Sequence, residues 1–484
     1  MITPLIASLT VILYLAVLFS ISYVTSRKTD NAGFFVGGRQ SSWLVVAIAT
    51  IGSTISGVTF VSVPGMVQTS HFAYLQMVMG FVVGQLVIAF VLVPLYYRLK
   101  LVSVYEYLKE RFGMESYRTG AWFFFISKML GAAVRVYLVC LTLQILIFEP
   151  LGIPFLLNAI VTMLVVWFYT YRGGVKTVIW TDLFKTMCLV LSVVLCIYFI
   201  AQQMGYNLTG VCQAIFSSDM SQVFFFDDVN DRRFFPKQFF AGVFTIIATT
   251  GLDQDLMQRN LSCKNSDESR KNMIVSICLQ FVVISLFLML GALLYIFSAH
   301  VGGELTQCKG DELFTKVATG GYLPMMVGIL FLIGLIAAAF GAAGSALTAL
   351  TTSFTVDILN ADRSDEQGTA RTRRYVHAGM AVLMAAVIYV FSLLNNTSVI
   401  DAVYILASYT YGPILGMFAF GIFMKESVRD KYIPVVALLA PVICFILDSN
   451  SEIWFNGYRF SYELLILNAV LTFVGLCLLI KKRQ

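Results

Sequence analysis

Several ionisable side chains stand inside stretches that otherwise hold only apolar and small residues. Arg135 lies in "GAAVRVYLVCL". A guanidinium presents a planar fork of donors that matches a carboxylate, so Arg135 is either a receptor for an acidic ligand or a structural cation satisfied by backbone carbonyls at a helix break. Asp182 and Lys185, in "VIWTDLFKTMCLVL", are three residues apart and share one helix face. They form an internal ion pair or part of a cation or proton site. Asp253 and Asp255 flank Gln254 in "TTGLDQDLMQR", and Asp401 opens "VIDAVYILASYTYGP", where a helix cap is the simpler role. Lys128 precedes Arg135 by seven residues, shares its face, and either joins the same site or snorkels to an interface.

Hydroxyls are concentrated as unusually as the charges. "IGSTISGVTF" (51–60) and "AFGAAGSALTALTTS" (339–353) crowd Gly, Ser and Thr into apolar surroundings. Runs of this kind allow close helix packing. They also suit a helix that unwinds within a membrane, turning carbonyls and hydroxyls toward a cavity.

The elements that must position these groups are membrane helices. Of 484 residues 58% are hydrophobic and only 12% charged, where a soluble chain carries about 25% charged residues. Apolar segments of spanning length recur throughout, which predicts an all-α polytopic protein. Thirteen spans are expected, at about 3–25, 42–67, 72–97, 119–148, 153–171, 177–203, 238–258, 272–299, 323–361, 376–395, 398–424, 432–448 and 462–480. The first reads as a retained helix, and 323–361 is long enough to bend or to leave the bilayer. With the N-terminus outside and the C-terminus cytoplasmic, 24 of the 33 Lys and Arg fall on the inside and six on the outside. The net charge of +6 is therefore an expression of topology and does not argue for nucleic acid.

Enzymatic motifs are missing: there is no HExxH, no GxSxG with membrane partners and no phosphate-binding loop. No Cys/His cluster suggests a metal centre, and no cofactor is expected beyond a coupling ion. His71, His300 and His377 read as interfacial. Cys212 and Cys308 both fall in outside loops, where a disulfide is conceivable. The aromatic and charged "FFFDDVNDRRFFPKQFF" (224–240) could cover an entrance as a lid or lie as a solvated loop.

Four ordered stretches resemble the sodium:solute symporter family. They are "RKTDNAGFFVGGRQSSWLVVAIA", "YTYRGGVKTVIWTDLFK", "DQDLMQR" and "FTVDIL", which together span nearly the whole chain. The resemblance implies a single transporter domain over 1–484 with a LeuT-type five-plus-five inverted repeat, about 42–203 and 238–424. Helices at about 3–25, 432–448 and 462–480 would be peripheral. It also implies secondary active uptake by alternating access at the cell inner (plasma) membrane, driven by sodium.

Within the family the chain is similar to bacterial sialic acid symporters. That likeness implies a carboxylated solute bound by Thr54, Ser56, Thr59, Gln76 and Arg135. A second-core-helix Gln is expected where Val78 falls, with Gln76 nearby. The alternatives are a neutral sugar or polyol, or an amino acid such as proline. For sodium, the resemblance implies the carbonyls of Gly52, Ile55 and Ala338, with Asp182 and Ser345 near a second ion. Two hydroxyl ligands are implied at Gly341 and Ala342, which have no side-chain oxygen, and Gly344 stands at a further serine position. Lys185 stands where the family commonly has Gln and could substitute for the missing charge. Three outcomes stay open: hydroxyls further along (Ser345, Thr348, Thr351, Thr352) act instead, coupling uses protons or a single sodium near Asp182, or transport is uncoupled.

Overall fold

A computed structural model describes residues 3–26, 42–101, 103–171, 174–308, 310–359, 366–394 and 399–481. The "FVGGR" part of the opening motif, Arg172 and Gly173 lie outside the described residues, as does the side chain of Asp401. The chain is all-helical among the described residues, apart from one isolated bridge between Val428 and Ile480. Backbone hydrogen bonds cannot be made to lipid, so each apolar run closes its own within a helix.

The main helices are α1 (Pro4–Ser26), α2 (Trp43–Thr54), α3 (Gly57–Gly65), α4 (Tyr74–Val87), α5 (Met114–Leu143), α6 (Phe155–Thr170), α7 (Gly174–Gln203), α8 (Phe235–Ile246), α9 (Gln254–Asn260), α10 (Ser266–Val301), α11 (Met325–Ser353), α12 (Glu366–Leu394), α13 (Val399–Phe423), α14 (Ile433–Ser449) and α15 (Leu464–Leu478). Nine described helices are long and apolar enough to cross a membrane. The four other expected spans depart from a simple helix. The segment 42–67 is the bent pair α2 and α3, 238–258 is broken between α8 and α9, and α6 and α15 are short apolar helices. Length and hydropathy alone therefore do not reach thirteen crossings.

Of the two readings of the small-residue run in α11, close packing is the one found. The run 339–353 stays helical inside α11, which continues into a π-helical turn at Phe354–Ile358. Its small residues serve close packing: a side chain at Gly344 would run into the Tyr169 hydroxyl on α6. Cys212 and Cys308 are free thiols, and the Cys308 thiol donates to the Glu304 carbonyl at 3.3 Å, so no disulfide joins them. His377 is not interfacial. It is buried between the hydroxyls of Thr170 and Thr351, at 2.9 Å from each.

The tightest crossing joins α4 to α8. A Cβ at Gly80 would strike the Phe239 carbonyl and one at Gly242 the Met77 carbonyl, so these glycines let two backbones touch. Overpacking such a contact costs about 1–3 kcal/mol or more. Gly242→Val should lower the melting temperature of purified protein by several degrees, whereas Gly131→Ala, mid-helix in α5 with nothing within 4 Å of the new Cβ, should hold or slightly raise it.

Candidate functional site

Two helix breaks face each other at the centre of the bundle. At the first, Ile55 and Ser56 are extended and α2 meets α3 at 58°. Unwinding strands backbone donors, and the hydroxyls of this stretch replace their partners. The Ser56 hydroxyl accepts from the Thr59 N–H, and the Thr59 hydroxyl accepts from the Ser56 N–H, each at 3.3 Å. This reciprocal box starts α3. Thr54 donates to the Ile51 carbonyl at 3.0 Å. At the second break, a π-helical turn over Ile247–Gly251 ends α8, and the Asp253 carboxylate caps α9 by accepting from the Asp255 N–H at 2.8 Å.

Between the breaks lies a cavity of about 120 Å³. Thr54, Ser56, Thr59, Arg135 and Ser345 line it, together with Gly341 and Ala342. Gln76 does not. It is fully buried, and its amide donates to the Arg233 carbonyl at 2.8 Å, tying α4 to the loop before α8. Val78 is buried elsewhere in the core. Arg135 is half-buried and, among the described residues, has no carboxylate partner.

The other buried charges along this cavity neutralise one another. Lys128 pairs with Asp255 at 2.7 Å and with Asp253 at 3.2 Å, so it does not snorkel. Arg259 pairs with Asp255 at 2.8 Å and also contacts Asp182 and Ser345. Lys185 lies 3.2 Å from the second Asp182 oxygen. Tyr411 donates to Asp253, Ser345 donates to Asp255, and Ser53 donates to Asp182 at 2.9 Å. Three carboxylates thus meet three cations on α5, α7 and α9. Arg259, one residue past the span expected at 238–258, is among the largest fully buried side chains of the described residues. The sequence signals for it were its i,i+4 spacing from Asp255 and its place at the end of "DQDLMQR".

The implied sodium ligands are not gathered into an open site. Gly52 is pressed against the Asp182 carbonyl on α7, and Ala338 faces Gly57. Ile55 and Ala338 are fully buried and, like Gly52, do not line the cavity. Asp182 and Ser345 are engaged by neighbouring side chains. Of the alternative hydroxyls, Thr348, Thr351 and Thr352 donate to the carbonyls of Gly344, Leu347 and Thr348 within α11 and do not line the cavity.

A second cavity of about 850 Å³ adjoins the first through Tyr74, which lines both. The Tyr74 hydroxyl is 2.8 Å from that of Tyr404 on α13, whose ring packs on Tyr462 at 4.6 Å. Asp231, Arg232 and Arg233 line the larger cavity. The Arg233 guanidinium hydrogen-bonds Asp231 and holds its carboxyl below the usual carboxylate range.

Residues 34–430 match the model of the sodium:solute symporter family. The chain belongs to that family. It is 26% identical to the sodium/sialic acid symporter NanT of Aliivibrio fischeri over 92% of this chain and 88% of the relative. To the sodium/sialic acid symporter SiaT of Proteus mirabilis it is 25% identical, covering 94% and 92%. Among solved structures, a Na+-coupled sialic acid symporter in a substrate-bound outward-open state superposes with a TM-score of 0.82 at 19% identity, covering 98% of this chain and 97% of that one. Mhp1, a nucleobase-cation-symport-1 transporter, superposes at 0.53 with 14% identity over 93% and 94%. Like its family, this multi-pass membrane protein is a transporter and not an enzyme.

In this symporter the bond between Lys128 and the two α9-end carboxylates holds the second break. Removing one partner of a buried ion pair costs about 3–5 kcal/mol because the remaining charge stays buried. Lys128→Met should therefore sharply lower thermal stability in detergent, while Lys109→Met, a change on a short exterior helix, should not.

Proposed function

We propose that this chain is a sodium-driven symporter that takes up a sialic acid or a related carboxylated sugar by alternating access across the plasma membrane. The observation that carries this reading is Arg135, a residue of the cavity wall that has no carboxylate partner among the described residues, beside the hydroxyl-rich break at Thr54–Thr59. Every other cation along the cavity is already neutralised, so an anion arriving there has one strong receptor, and its planar fork fits a carboxylate. Thr54, Ser56 and Thr59 would receive hydroxyls of the solute, and the carbonyls of Gly52 and Ile55 at the break would serve sodium. The two relatives named as sialic acid symporters support the substrate class.

The central cavity is smaller than the roughly 300 Å³ at which small-molecule sites begin, so entry requires it to widen. The Tyr74–Tyr404 hydrogen bond stands between it and the larger cavity and would part for that purpose. In the orientation favoured by Lys and Arg, the larger cavity is the outer vestibule and the loop carrying Arg233 lies over it.

The test is uptake into proteoliposomes. Sialic acid should accumulate under an inward sodium gradient and fail to accumulate without one. A charge-assisted bond lost from a buried site is worth about 1.5–3 kcal/mol, or roughly 10–100-fold. Arg135→Ala should weaken solute binding by at least that factor while keeping the wild-type melting temperature. Equal binding of neutral hexoses and sugar acids by the wild type, or unchanged uptake by Arg135→Ala, would remove the assignment.

A further inference from the structure

The place beside Asp182 is already filled. Lys185 is 1% exposed, and its ammonium lies 3.2 Å from one Asp182 oxygen, while Arg259 and Ser53 hold the other. The ammonium fits there because residue 341, on the facing helix α11, has no side chain. A Cβ on Gly341 would stand 3.1 Å from the Lys185 ammonium nitrogen, 3.1 Å from its Cδ and 2.9 Å from the nearer Asp182 oxygen, tighter than ordinary contact. A hydroxyl-bearing residue at 341 would therefore push the Lys185 and Asp182 side chains out of the positions they share here.

Charge balance points the same way. Asp182, Asp253 and Asp255 are matched by Lys128, Lys185 and Arg259, all within one connected cluster. A sodium ion added at Asp182 would leave a net positive charge in a water-poor interior, which is strongly unfavourable. A hard cation also needs several oxygens: Ser345 is engaged by Arg259 and Asp255, and of the Asp182 oxygens one is held by Arg259 and Ser53 while the other faces the Lys185 ammonium at 3.2 Å.

We infer that Lys185 and Gly341 form a matched pair in which the lysine ammonium is a resident cation, standing where a bound ion would otherwise neutralise Asp182. A sodium ion that drives transport is then held by other oxygens, and Asp182 is not among its ligands. This departs from the sodium role that the family resemblance implies for Asp182, and it holds whichever solute is carried.

The experiment compares wild type, Gly341→Ser, Lys185→Gln and the double variant Gly341→Ser/Lys185→Gln. Each is purified in detergent without solute, and its melting temperature is titrated with NaCl against choline chloride at constant ionic strength. Gly341→Ser alone should melt well below wild type, and adding Lys185→Gln should recover at least half of the loss. Both variants that carry the Lys185→Gln change should respond to sodium with a half-saturating concentration at least tenfold lower than wild type, because Asp182 has been released. Wild-type stability of Gly341→Ser beside the native lysine would overturn the pairing. An identical sodium response in wild type and in the two variants lacking the lysine would overturn the resident cation. Should Lys185→Gln fail to fold, Gly341→Ser and the double variant still decide the matter. No uptake is read, so failure of the sialic acid assignment would show separately.

Discussion

An ionised group in a membrane interior is tolerated only where its charge is cancelled locally, and much of this molecule is organised around that requirement. Asp182, Asp253 and Asp255 are buried among Lys128, Lys185 and Arg259, with Ser53, Ser345 and Tyr411 supplying further donors. These residues come from α2, α5, α7, α9, α11 and α13, so one neutral cluster fastens six helices. The same cluster holds the second helix break, because the carboxylate that caps α9 is the one that Lys128 and Tyr411 engage. Against that balanced background the single guanidinium of Arg135 acquires its meaning.

The hydroxyl-rich first break has a double character for a related reason. A backbone that unwinds away from water must find new partners for its freed groups. Ser56 and Thr59 supply them by capping α3 reciprocally, and the same two side chains line the cavity. The atoms that repair the break are thus exposed to the cavity, and a solute hydroxyl entering there would compete with the capping bonds or extend them. Small residues follow the same logic on α11. Gly344 admits the Tyr169 hydroxyl and Gly341 admits Lys185, so a stretch that from sequence could be packed or unwound is a continuous helix with two notches cut for its neighbours.

The long apolar helices were readable at once, and so was the break at 51–60, because hydropathy and the Gly/Ser/Thr cluster are local properties. The ordered motifs around Trp180-Thr181-Asp182 and Gln258-Arg259 carried the family, and through it the candidate cavity residues Thr54, Ser56, Thr59 and Arg135, all of which the folded chain brings to one cavity. Less was legible where meaning depended on a partner. Gln76 looked like a solute ligand from its neighbourhood in sequence, yet helix phase turns it toward the Arg233 carbonyl. Arg259 looked like one more inside-loop cation, and "TTGLDQD" gave little sign of a second break, since one Asp serving as a cap is a common and weak signal.

Sequence alone determined that this chain is a polytopic helical transporter with charges in its membrane interior, because composition, periodicity and the order of motifs are carried by single residues and their near neighbours. Only the tertiary structure decided which of those charges cancel and which, among the described residues, is left without a carboxylate partner. Ion pairing depends on distances of about 3 Å between residues far apart in the chain: Lys128 meets Asp253 across 125 positions, and Ser345 meets Asp255 across 90. Spacing along one helix could suggest Asp182 with Lys185. It could not show that the absence of a side chain at Gly341, four helices further along the chain, is what makes room for that lysine.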